Sequence, residues 1–256
     1  MNPLRMLVLG TLWQVKQQSR SPLEITISLL VPLVQATLAV YLFKAGTNPP
    51  ALVLAAVGAG LMGVWSSVLF GSGAAIQNQR FQGTLEILMI TPMRPVFKIL
   101  PITLATGLVG LYSVVATLLW GVLLLGVPPS FAAPLWFVVA APVCVLALGA
   151  FGLLLASTFV LLRNANAIVN PLGYPVWLLS GMLVPVTALP GWTGPIAAVL
   201  PTTWGARALR AAVTGGPVWP ALAVCVGEAL IALVLGAIAL RFVERRARVT
   251  ATLALT

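Results

Sequence analysis

The chain has 256 residues, 60% of them hydrophobic and only 7% charged, with a mean hydropathy of +1.08. So little polar surface cannot cover a soluble globule, which points to a single all-α, polytopic transmembrane domain over 1–256. The net charge of +10 then reads as positive charge that orients a chain in a bilayer, not as a nucleic-acid surface. There is no His, and all four acidic residues are Glu, which excludes a Ser-His-Asp triad and the usual His or Asp metal ligands.

Three stretches carry no charged residue: 45–79, 99–162 and 164–206. A bilayer crossing takes about 20 apolar residues, and six crossings are expected. Residues 3–20 read as a helix lying on the membrane surface, within an interfacial segment 1–22. Leu4, Val8, Leu12 and Val15 share a face, with Arg5, Lys16 and Arg20 mostly elsewhere. The apolar stretch 6–13 is short and lacks an A-x-A-like site, so no cleavable signal peptide is expected. Span 1 covers about 24–43, span 2 about 51–76, span 3 about 99–125 and span 4 about 132–162, with spans 3 and 4 separated at GVPPS (126–130). Span 5 covers about 167–186 and span 6 about 219–241. Cys144 and Cys225 fall inside apolar runs and read as free core thiols; a disulfide or metal pair is the weaker reading.

Residues 187–218 are apolar but broken by Pro190, Pro195, Pro201 and Pro217 and by five glycines. The longest piece free of both is 206–214, too short to span, so re-entrant or interfacial helices are expected here. Trp192, Trp204 and Trp219 suit the headgroup level. Six spans place both termini on one side. That side would carry eleven of the 14 Lys and Arg residues, against three (Lys44, Arg207 and Arg210) on the other. The termini are therefore expected in the cytoplasm and 187–218 outside.

The connection between spans 2 and 3, residues 77–98, contains RFQGTLEILMITPMRP at 80–95. Thr84 is a good N-cap, and Glu86 falls in the first turn, where the helix dipole favours an anion. Leu85, Leu88 and Met89 make an apolar edge, and Pro92 ends the helix within about three turns. Two readings stand: a peg that docks on a partner, or a cap on the bundle.

This segment resembles the cytoplasmic loop of the ABC type-2 exporter permeases, whose pattern is roughly R-x-x-G-T-L-E-x-L-x-x-T-P. Arg80, Gly83, Thr84, Leu85, Glu86, Leu88, Thr91 and Pro92 match it. RSPL (20–23) with Pro32, SGMLVPVTALPGW (180–192) and LPTTWGARALR (200–210) are similar to other parts of the family. The resemblance implies a bacterial cytoplasmic-membrane half-transporter that pairs with a second copy or a paralogue. It also implies a separate ATP-binding cassette subunit, which carries the ATP and Mg; this chain holds no cofactor and has no GxxxxGK[ST] loop. Arg80, Gly83, Thr84, Leu85, Glu86, Leu88, Met89, Thr91 and Pro92 would form the coupling helix. The QNQR before it (77–80) carries less charge than is usual in the family.

Glu228, near the middle of span 6, would contact a cationic substrate, act as structural glue, or carry a proton. With no His and no Asp in the chain, a proton relay is disfavoured. Arg207 and Arg210 would snorkel to headgroups or guard an exit path. Asn170, with Asn164 and Asn166, would bond between helices or line an inward cavity. Gly58, Gly60, Gly63, Gly173 and Gly181 would allow close helix approach and line a dimer seam. Expected function is export of a hydrophobic or amphipathic drug, antibiotic or lipid, with membrane lipid as surroundings and no enzyme activity in this chain. A secondary transporter would need internal repeats, of which no convincing one is present. A membrane-assembly subunit would leave the docking loop unexplained.

Overall fold

The computed structural model describes residues 3–20, 22–44, 49–81, 95–161 and 165–250. Everything regular among them is helical: α1 Pro3–Gln18, α2 Pro22–Lys44, α3 Pro49–Phe81, α4 Pro95–Leu124, α5 Pro134–Leu161, α6 Ala165–Leu179, α7 Thr193–Ala198, α8 Pro201–Thr214 and α9 Val218–Thr250, with one 3-10 turn at Val186–Ala188. Six of these nine helices begin at a proline. Proline's fixed φ suits the first helical turn, and its missing N–H costs nothing there. Further prolines sit within helices, at Pro32, Pro101, Pro142, Pro171 and Pro175.

Among the described residues, four helices are long and apolar enough to cross a membrane: Ala51–Ser72, Val96–Leu124, Pro134–Phe159 and Val218–Phe242. They coincide with the expected spans 2, 3, 4 and 6. The expected spans 1 and 5 are not among them. In α2 the described apolar stretch is Leu30–Phe43. In α6 the helix stops after 15 residues, about 22 Å of rise against a hydrocarbon core of about 30 Å. The chain turns out of helix at Ser180 and Gly181, where φ is +75°; the expected run to 186 is not helical.

The bundle is built around α3, whose apolar window is 78% buried while that of α9 is 33% buried. α3 packs against α2, α4, α5, α6 and α8. Its glycines make this possible. A Cβ on Gly60 would lie 2.9 Å from the Val114 backbone of α4, and one on Gly63 would meet Ser113 of α4 and Pro32 of α2. Close backbone approach between small residues is how apolar helices gain packing where no hydrophobic effect drives them together. The same contacts correct one expectation: Gly58, Gly60 and Gly63 face neighbours within this chain, not an open dimer seam. α9 lies against α5 and α8, crossing α5 at Gly236, where a Cβ would sit 3.0 Å from Leu154 backbone nitrogen.

α1 lies on α4, with Gly10 against Pro101. Leu7 and Thr11 turn inward, whereas Val8, Leu9, Leu12 and Trp13 are exposed, with Arg5, Lys16 and Arg20 along the same side. The expected apolar face therefore divides: Val8 and Leu12 point away from the protein.

Candidate functional site

The stretch after α6 places backbone where a helix would otherwise continue. Met182 is fully buried there, and its carbonyl carbon would lie 3.1 Å from a Cβ on Gly58 of α3. Arg210 of α8 reaches the same carbonyl, Nη2 donating to the Met182 oxygen at 3.2 Å. Gly58 lies nine residues into α3, roughly 13 Å from its first residue. α6 thus ends well short of the level where α3 starts. Because Arg210 is half-buried, desolvation lowers its pKa from the ordinary value; arginine starts so high that it stays a cation.

α8 is amphipathic. Thr202, Thr203, Gly205, Ala206, Ala208, Leu209, Ala212 and Val213 are buried, while Arg207 is exposed and Trp204 and Arg210 are half-buried. Its C-terminal end is capped by Gly215 at φ +85°, whose N–H, with that of Gly216, bonds the Ala211 carbonyl. The Ala132 and Ala133 N–H groups donate to Val213 and Ala212, so the Ala211, Ala212 and Val213 carbonyls that the helix end leaves open are used. These two alanines lie just before α5, so the end of α8 is level with the start of α5. Close by, Trp136 and Trp219 sit with ring centroids 6.4 Å apart. The beginning of α8 lies deeper. The Cys225 thiol, seven residues past the start of α9, donates to the Pro201 carbonyl at 3.4 Å.

Glu228 meets α8 at Trp204, close enough for the two side chains to interact. The indole Nε1 donates to the Ala198 carbonyl at 2.9 Å. Glu228 Oε2 is shielded and has no hydrogen-bond partner. The Arg207 guanidinium lies over the Trp204 ring at 4.5 Å from the centroid, a cation–π contact. Trp204 therefore joins Glu228 to Arg207, whereas Arg210 is drawn away to Met182. Trp204 stands against α9 beside Glu228, ten residues past the start of that helix.

The other expected site residues fall elsewhere. Arg80 belongs to the last turn of α3, and Asn170 lies on α6; their side chains are outside the described set, as is the short helix expected over 83–91, with Gly83, Thr84, Leu85, Glu86, Leu88, Met89, Thr91 and Pro92. The structure does place the ends that this segment joins. α3 and α4 pack together, with Gly71 against Thr106, so 82–94 connects neighbouring helix ends.

A family model described as ABC-2 type transporter matches residues 7–214, from α1 to the last residue of α8. The chain belongs to the ABC-2 type transporter family. No curated protein matches it. It is thus a multi-pass membrane protein and the permease component of an ABC-type exporter, a class that works with an ATP-binding cassette subunit. The matched region holds Arg207, Arg210 and the 80–92 segment. α9, with Glu228, lies beyond it.

Sequence reasoning missed the clamp on Met182 and the meeting of Trp204 with Glu228. One signal for the clamp was present: Ser180-Gly181 interrupts an apolar run after only 15 residues from Ala165. Nothing in the one-dimensional pattern pairs Gly58 with Met182, 124 residues apart by number.

Proposed function

We propose that this chain is the membrane-spanning half of an ATP-driven exporter for a hydrophobic or amphipathic compound such as a drug, an antibiotic or a lipid. Six spans cross a bacterial cytoplasmic membrane with both termini inside, spans 1 and 5 being completed by α2 and by α6 with its irregular continuation. The observation that carries this reading is the family match over 7–214 together with the R-x-x-G-T-L-E-x-L-x-x-T-P pattern between two packed, span-length helices. The segment 83–91 is the coupling helix. It enters a cleft of the separate ATP-binding subunit, which supplies ATP and Mg. Two permease chains, identical or paralogous, pair in the complex. Closure of the nucleotide-bound partners draws the two coupling helices together and rocks the spans between inward and outward access. Arg207, Arg210, Glu228 and Asn170 are the side chains assigned to the cargo path. The deep start of α8 beside α9 supports a re-entrant outer segment.

The test is the coupling helix. Glu86→Lys places a cation at a helix N-terminus, at a cost of only about 0.3–1 kcal/mol, too little to unfold the bundle. Export, and stimulation of the partner's ATP hydrolysis by cargo, are expected to fall sharply while membrane-inserted protein stays near the parent level. Leu88→Glu is expected to weaken association as well. The measurement is co-purification of the ATP-binding subunit together with cargo efflux, normalised to inserted protein. Parent-like co-purification and efflux in both variants would remove the coupling assignment and leave 80–95 as a cap on the bundle.

A further inference from the structure

The two cysteines of the chain lie 81 positions apart, on different helices, yet they meet. Cys144 is on α5 and Cys225 on α9, and both are fully buried and free. Both sulfurs abut one point of α8: a Cβ on Gly205 would lie 3.5 Å from Cys144 Sγ and 3.7 Å from Cys225 Sγ. Each thiol is also aimed at an α8 carbonyl. Cys144 donates to Gly205 at 3.8 Å, and Cys225 donates to Pro201 at 3.4 Å. The thiols are close enough to interact directly with each other. A pair of small hydrophobes would fill this space as well, without two weak donors converging on one helix.

The surroundings decide what such a pair takes. Both cysteines belong to the dry, apolar core of the bundle, with Leu148, Leu209 and Leu222 in the same cluster. A divalent cation would need two thiolates or would bring uncompensated charge into a dry site. A neutral, soft, three-coordinate centre needs neither. An organic arsenic(III) oxide condenses with two neutral thiols: the arsenic–oxygen bond breaks, two As–S bonds form, and both thiol protons leave with the oxygen as one water. No oxidation state changes and no charge is created.

We propose that Cys144 and Cys225 form an intramembrane dithiol site that captures lipophilic trivalent arsenicals, bridging α5 to α9 beneath Gly205 of α8. Occupation fixes the two helices to each other at the level of the deep half of α8. It displaces both thiol donors from the Pro201 and Gly205 carbonyls. An arsenical bound here therefore arrests any transport step that moves α5 against α9. The site does not depend on the transport assignment, since capture is read chemically.

The experiment uses the full-length chain in native membranes, with phenylarsine oxide as the probe. After exposure, the membranes are quenched and dissolved in denaturant, and the remaining thiols are alkylated with N-ethylmaleimide. Intact mass then reports each chain. The expected product carries one phenylarsenic and no maleimide. Treatment with 2,3-dimercaptopropanol restores two alkylatable thiols, whereas an equal concentration of 2-mercaptoethanol does not, because only a dithiol competes with a chelate. Cys144→Ala and Cys225→Ala each leave a single thiol and are expected to lose the adduct after a 2-mercaptoethanol wash. The proposal is overturned if the parent in membranes keeps two alkylatable thiols after exposure. It is equally overturned if 2-mercaptoethanol strips the parent adduct, which means that the sulfurs act singly. The parent arms need no variant, so the outcome stands even where a substitution misfolds.

Discussion

Replacing Gly58 with alanine puts a methyl group onto the Met182 carbonyl oxygen, well inside any real Cβ contact, and 3.1 Å from the carbonyl carbon. The obstructing atoms are backbone, so no rotamer change relieves the clash. Carbon contacts settle near 3.5–4.0 Å, so α3 and the 180–185 stretch must separate by about 1 Å or more. Overpacking of this kind costs about 1–3 kcal/mol. The shift also carries the Met182 oxygen away from Arg210, whose bond is 3.2 Å long and worth about 1.5–3 kcal/mol as a charged donor. For a chain of this size, each kcal/mol lowers the apparent melting temperature by about 2–4 °C, so Gly58→Ala is expected to lose roughly 5–24 °C in detergent. Arg210→Ala is expected to cost roughly half as much, and the double variant less than the two together, because both act on one carbonyl. Gly227→Ala is the control: nothing lies within 4 Å of a Cβ there, and alanine favours the helix. The measurement is thermal unfolding of purified chain followed by tryptophan fluorescence. If Gly58→Ala melts with the parent, or if the double variant is strictly additive, then Gly58, Met182 and Arg210 are not one coupled unit.

Topology gives a second prediction: on a cysteine-free background, single cysteines at Lys44 and Arg207 are expected to react with an impermeant maleimide from outside, and those at Arg94 and Arg245 only after lysis. Labelling of position 94 from outside contradicts six spans. Third, Trp204→Phe removes the indole N–H from the Ala198 carbonyl but keeps a ring beneath Arg207. A loss of about 1–2 kcal/mol is expected from the unpaired carbonyl, seen as a lower melting temperature; no change means that the indole bond contributes nothing. Fourth, Glu228→Gln keeps the shape and removes the charge. If Glu228 only braces Trp204, expression and efflux stay near the parent, whereas a role in cargo charge selection shows as altered relative efflux of cationic and neutral compounds.

Pro22, Pro49, Pro95, Pro134 and Pro201 each open an element, a signal that the expected spans, begun at about 24, 51, 99 and 132, did not use. The four long crossings were legible because charge-free runs of sufficient length permit little else in a bilayer. α6 was misjudged because hydropathy does not register a backbone that leaves helix while staying buried. Residues 180–186 are as apolar as a span, yet Gly181 adopts a positive φ and Met182 spends its carbonyl on Arg210. Within 187–218, where short re-entrant or interfacial helices are expected, α8 runs from Pro201 through Gly205: proline is at home in a first turn, and Gly205 is where two thiols need room. The meeting of Cys144 with Cys225 was not legible, since it depends on how α5 and α9 pack on each other and on α8, which no pattern along the chain records.

A single helix joins the two ends of the proposed exporter. α3 carries Arg80 in its last turn, immediately before the segment proposed to couple, and Gly58 nine residues from its start, against Met182. The two positions are about 33 Å apart along the helix. Between them α3 has no proline, and it is locked to α4 at Gly60, Gly63 and Gly71 by contacts too close for a side chain to intervene. Such a helix does not bend to absorb a push at one end; it tilts or slides as a rod with α4. Displacement of the coupling segment would therefore reach the Met182 carbonyl as motion of the whole rod. The part able to yield is the non-helical 180–185 stretch, held on its other side by Arg210 of α8. On the proposed function, Arg210 is then the latch through which α3 moves the outer segment, and its substitution should uncouple ATP hydrolysis from efflux while leaving binding of the ATP-binding subunit intact. Equal loss of association and efflux in Arg210→Ala would refute that route, because it would mean that the variant damages the bundle as a whole.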